Sequence, residues 1–68
     1  MNITMRDIGR RCKKWREDHG YFQRHVADST GYSVENVGSF ENGRNDNCRL
    51  LIWYISHGMT INDILGVM

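Results

Sequence analysis

Three histidines and two cysteines are the residues best suited to metal or nucleophilic chemistry, and their spacing keeps them apart. His19, His25 and His57 are scattered, and neither Cys12 nor Cys48 has a second cysteine three residues on. The paired-ligand spacing of a zinc site is therefore missing. His25, Asp28 and Ser29 fall in one helical stretch, where side chains cannot converge as base, orienting carboxylate and nucleophile. Asn45-Asp46-Asn47 lacks the aspartate spacing and downstream glutamate of a calcium loop, and no phosphate-binding glycine loop occurs. The expectation is a chain that is not an enzyme, with no metal, no cofactor and no small-molecule substrate.

The organised chemistry lies in Gln23 to Arg44, QRHVADSTGYSVENVGSFENGR. Val26 and Ala27 give a first short helix its apolar edge, and Ser29-Thr30-Gly31 breaks it, with Gly31 where a left-handed residue is usual. Ser33 is placed to cap a second helix, in which Val37 and Phe40 face inward. Val34, Glu35, Asn36 and Ser39 are left pointing outward. Helix, tight turn and helix is the plan whose second helix enters the DNA major groove.

The pattern resembles the lambda-repressor-like family of Cro and XRE-type helix-turn-helix proteins. The residues that carry the resemblance are Ile8-Gly9, Cys12, Trp15-Arg16, Gly20, Gln23, Ala27, Gly31, Ser33, Val37 and Glu41-Asn42-Gly43-Arg44, and more loosely Gly58, Thr60 and Ile64-Leu65. They span residues 6–66. The resemblance implies an all-α, compact five-helix DNA-binding domain with the helix-turn-helix at helices two and three. It puts base contacts at Val34, Glu35, Asn36 and Ser39. Asn36 can pair bidentately with adenine, Val34 can meet a thymine methyl, and Glu35 can accept from cytosine N4. It implies phosphate contacts from Gln23, Arg16, Asn42 and Arg44, to which the basic Arg49 is added, and a structural ion pair between Arg16 and Glu41. Phe22 departs from the family, which has a capping Ser, Thr or Asn there. The missing cap costs the helix start about 1 kcal/mol, which would leave Gln23 less rigid.

The elements that position these residues are read from capping and periodicity. Sixty-eight residues with no proline and 40% hydrophobic residues fit one all-helical domain, near the size at which one core is only marginally stabilising. Helices are expected at about 4–18, 23–29, 33–41, 47–57 and 60–66. Thr4 with Asp7 and Thr60 with Asp63 are capping signals, and Asp46 or Asn47 can cap helix four. Ile8, Cys12 and Trp15 share a core face at helical spacing, and Tyr21 joins them. Gly38 costs about 1 kcal/mol inside a helix, tolerable where another backbone comes close.

Charge is unevenly spread. Residues 4–16 carry Arg6, Arg10, Arg11, Lys13, Lys14 and Arg16 against Asp7, while residues 17–68 are net acidic, for an overall +1. A basic first helix is an electrostatic footprint for nucleic acid, or else a solvated helix face. Leu50-Leu51-Ile52-Trp53-Tyr54-Ile55 is apolar on every side, where a surface helix needs one stripe. A homodimer is the expected cover, with an interface at Ile52, Ile55, Met59, Ile61, Leu65 and Met68 and two recognition helices roughly 34 Å apart. The alternative is that one small domain uses these residues in its own core. Two cysteines 36 residues apart make no disulfide framework, and no secretory signal or membrane-length apolar run occurs. The expected partner is double-stranded DNA, in the cytoplasm and without a membrane, and the size resembles a bare Cro-like repressor of a phage or mobile element. The rival is a protein-binding module on the same fold, an antirepressor or an inhibitor of another regulator or enzyme. Glu35, Gly38, the low net charge and the apolar C-terminal half favour it.

Overall fold

Side-chain caps set where four of the five described helices begin, and glycines set where most of them end. The computed structural model describes residues 2–66, which are all-α with five helices: α1 Met5–Asp18, α2 Gln23–Thr30, α3 Val34–Glu41, α4 Cys48–Ser56 and α5 Ile61–Leu65. Thr4 Oγ1 accepts from the Asp7 backbone N–H while the Asp7 carboxylate accepts from the Thr4 N–H, and Thr60 and Asp63 repeat the arrangement. These reciprocal bonds satisfy backbone donors that a helix start leaves unpaired. In both pairs the threonine N–H, then its hydroxyl, holds the carboxyl below its ordinary range. Ser33 caps α3 through the Asn36 N–H, and Asn47 rather than Asp46 caps α4. α2 runs one turn position further than expected, through Thr30, whose hydroxyl donates to the Val26 carbonyl at 2.7 Å.

α1 and α4 end on the same local sequence, Trp-x-x-x-His-Gly. His19 and His57 each stack on the tryptophan four residues earlier, with ring centroids 4.1 and 4.0 Å apart. Each places Nδ1 2.8 Å from that tryptophan's carbonyl oxygen. A carbonyl only accepts, so Nδ1 carries the hydrogen in both rings. The glycines that follow, Gly20 and Gly58, take positive φ, and the next residues, Tyr21 and Met59, bond back to the carbonyls of Arg16 and Tyr54. This is the Schellman closure, and it turns Tyr21 and Met59 inward.

The core is Cys12, Trp15, Val26, Ala27, Val37, Phe40, Leu50, Trp53, Tyr54, Met59 and Ile64, with Ile8, Tyr21 and Leu51 partly buried against it. Met59 is 2% exposed, its sulfur 3.8 Å from Cys12 Sγ. It is a core residue and has no surface to offer a second chain, which corrects its assignment to a dimer interface. Burial, then the carboxylate of Glu41, pushes the Cys12 thiol up to about 12. Ile52, Ile55 and Ile61 are 59%, 42% and 63% exposed and Leu65 is half-buried; Met68, like Val67, lies outside the described residues. Among the described residues, no helix is long and apolar enough to cross a membrane.

Candidate functional site

α3 presents two faces of opposite character. Inward, Val37, Phe40 and Glu41 are buried; outward, Val34, Glu35 and Asn36 are exposed and Ser39 is half-buried. Among the described residues, the side chains of Glu35 and Asn36 form no hydrogen bond or ion pair, so their polar atoms are open to an external partner. α2 packs against the inner side of α3 across the turn at 31–33, with Gly31 in the left-handed region.

What holds α3 in place is the carboxylate of Glu41. Arg16 meets it bidentately, Nε donating to Oε2 at 2.8 Å and Nη2 to Oε1 at 3.1 Å. Gln23 Nε2 donates to Oε1 at 3.1 Å, and the Tyr54 hydroxyl donates to Oε2. Arg16 Nη1 donates to the Tyr21 carbonyl at 2.9 Å. One buried carboxylate at the end of α3 thus receives donors from α1, α2 and α4. An ionised group buried this deeply is tolerable only when paired and hydrogen-bonded, and this one accepts four bonds. Burial, then the bond to Glu41, pushes the Tyr54 phenol upward from its ordinary range.

Two expectations change at this network. Arg16 is 5% exposed and its guanidinium is spent on Glu41 and Tyr21, so it is a structural clamp and does not reach a phosphate. Gln23 is not loosened by the missing cap. Phe22 lies 70% exposed with no side-chain cap bond, but His25 Nδ1 accepts the Phe22 backbone N–H at 2.8 Å, and Glu41 holds the Gln23 amide. Tyr54 was missed as a polar participant because it sits inside an apolar run. The available signal was its hydroxyl, which needs a partner when buried.

The end of α3 closes by a Schellman motif, with Gly43 N–H bonded to the Phe40 carbonyl and Arg44 N–H to the Ser39 carbonyl. Gly43 has φ +77°, and a Cβ there would overlap the Arg6 backbone. A Cβ on Gly9 would likewise overlap the carbonyls of Phe40 and Glu41. These two glycines let α1 lie directly on the end of α3. Gly38 differs: a Cβ there would meet only Gln23 Nε2, at 3.7 Å. No backbone approach explains it. Asn42, Arg44 and Arg49 are exposed beyond α3, on the segment that runs from its end to the first turn of α4. Asn45 ties that segment back, its Nδ2 donating to the Asn36 carbonyl at 3.4 Å.

No group of three or more His, Cys, Asp or Glu side chains among the described residues is arranged to hold a metal ion. Compared with models of protein families, with curated proteins and with solved structures, the chain matches none of them.

Proposed function

We propose that this chain is a sequence-specific, double-stranded-DNA-binding transcriptional regulator of the helix-turn-helix, lambda-repressor-like kind, a small Cro-like cytoplasmic repressor. The observation that carries the reading is the pairing of α3's two faces. Its inner face is fixed through Glu41 to three other helices, while its outer face offers Val34, Glu35, Asn36 and Ser39 with polar atoms uncommitted. A rigid helix with an open, mixed apolar and amide face is what base-edge recognition in a major groove needs. Asn42, Arg44 and Arg49, with the free hydrogen of the Gln23 amide, then serve the phosphates on either side. Ile52, Ile55 and Ile61 form the core of a homodimer contact with Leu65 at its edge, and the operator is pseudo-palindromic.

Selection of bound sites from random-sequence duplexes tests this. Enrichment of a two-fold symmetric site supports a dimeric regulator. No enrichment, together with salt-insensitive or absent binding, contradicts it.

A second reading, a protein-binding module on the same fold, draws on the exposed apolar residues Phe22, Ile52 and Ile61. Loss of a protein partner on Ile52→Ser or Ile61→Ser, in a chain that binds no duplex, would favour it.

A further inference from the structure

Beside the end of α3 the surface falls into a cleft of about 490 Å³, lined by Arg6, Arg10, Lys13, Glu41, Asn42 and Arg44. Four of these six residues are cations in a chain whose net charge is +1. Arg6, Arg10 and Lys13 stand four and three residues apart, so they rise along one face of α1. Arg44 faces them from the segment after α3.

The acids nearby do not cancel this charge. Glu41 is already neutralised by Arg16. Asp7 engages Arg10 at 3.3 Å through an exposed contact, and such contacts are weak. Arg6, Lys13 and Arg44 form no ion pair among the described residues. The two elements that carry these side chains are packed backbone against backbone, because Gly43 abuts the Arg6 backbone and Gly9 abuts the carbonyls of Phe40 and Glu41. Uncompensated like charges held together in a concavity repel one another unless an anion lies between them.

We propose that this cleft is a phosphate site, and that it takes a backbone phosphodiester of the duplex whose bases meet α3. The inference rests on the DNA-binding reading above. It adds Arg6, Arg10 and Lys13 of α1 to the contact surface and places a phosphate contact on the α1 side of the recognition helix. Its contribution is independent of base sequence, because phosphates carry no sequence information directly.

The test is duplex binding by the full chain between 50 and 200 mM salt, comparing the natural protein with the double variant R6Q/K13Q. Both side chains are exposed and outside the core, so the variant is expected to fold; its helical circular dichroism checks that. Loss of the one phosphate held in the cleft should lower the slope of log K against log salt by about 0.9. The variant would then lose about 3.5-fold less affinity across that salt range, with its preferred site unchanged. An unchanged slope in a folded variant, while the natural protein binds duplex, overturns the cleft and leaves the DNA-binding reading standing. A natural protein that binds no duplex at any salt overturns both. In that case, saturable binding of inorganic phosphate, followed by the amide resonances of residues 6–13 and 42–44, would mark the cleft as a site for a free anion.

Discussion

Replacing Tyr54 with phenylalanine removes one hydroxyl from the centre of the molecule and nothing else. The ring keeps its place against Phe40 and Trp53, at 5.9 and 5.2 Å between centroids, so packing changes little. What goes is one of four donors to the buried Glu41 carboxylate. A hydrogen bond to a charged group contributes about 1.5–3 kcal/mol. The lower end applies, because Arg16 and Gln23 still serve both oxygens. A loss of about 1.5 kcal/mol in a domain of this size lowers Tm by about 6–12 °C. Total stability for 68 residues is on the order of 3–10 kcal/mol, so the variant should remain folded and measurable by thermal and urea denaturation followed by circular dichroism. Glu41→Ala should be far worse, at about 3–5 kcal/mol, because it leaves Arg16 buried without a partner. A Tyr54→Phe protein melting within about 2 °C of the natural one would refute the argument that Glu41 is the hub joining four helices.

Three other outcomes follow from the geometry. Gly38→Ala should stabilise the protein by about 1 kcal/mol, since alanine is the better helix former and its methyl meets only the Gln23 amide; chemical denaturation measures it, and destabilisation would point to an unrecognised close contact. Asp7 and Asp63 have carboxyls depressed in the folded state by their threonine caps. Their stabilisation is therefore present above the ordinary aspartate value of 3.8 and is lost as pH falls through the lower folded values. Thr4→Ala with Thr60→Ala should accordingly have a lower Tm than the natural protein at neutral pH and a shallower decline in strong acid. The three histidines should divide by tautomer in long-range nitrogen–proton spectra at high pH: His19 and His57 protonated at Nδ1, His25 at Nε2, because His25 Nδ1 accepts from Phe22. A common tautomer for all three would contradict one set of contacts or the other.

Local chemistry was legible in the sequence wherever one or two residues decide the structure. Thr4 with Asp7, Ser33, and Thr60 with Asp63 announce helix starts because a short side chain within reach of a free N–H has few other uses. The Arg16–Glu41 pair was legible through family resemblance, since opposite charges 25 residues apart have no local signature. Its extension to Gln23 and Tyr54 was not, because a hydroxyl inside an apolar run reads as part of the run. Met59 misled for a related reason. It follows Gly58, outside any helical period, and only the Schellman turn at the end of α4 directs it inward onto Cys12. The basic charge of α1 and the phosphate role of Arg44 were legible, but their meeting in one cleft was not, because its walls, α1 and the segment after α3, are brought together by the absence of side chains at Gly9 and Gly43. Such contacts leave little trace in hydrophobic periodicity.

On the function proposed above, the outer face of α3 reads base sequence. The most direct test of this compares binding of the natural protein and of Val34→Ala with Asn36→Ala to a selected operator and to an unrelated duplex, each across a range of salt. Both positions are exposed, so the variant should fold normally. The preference for the operator should collapse towards the level of unrelated DNA, while the salt slope, set by phosphate contacts, stays the same. A variant that retains the operator preference in full would contradict that reading.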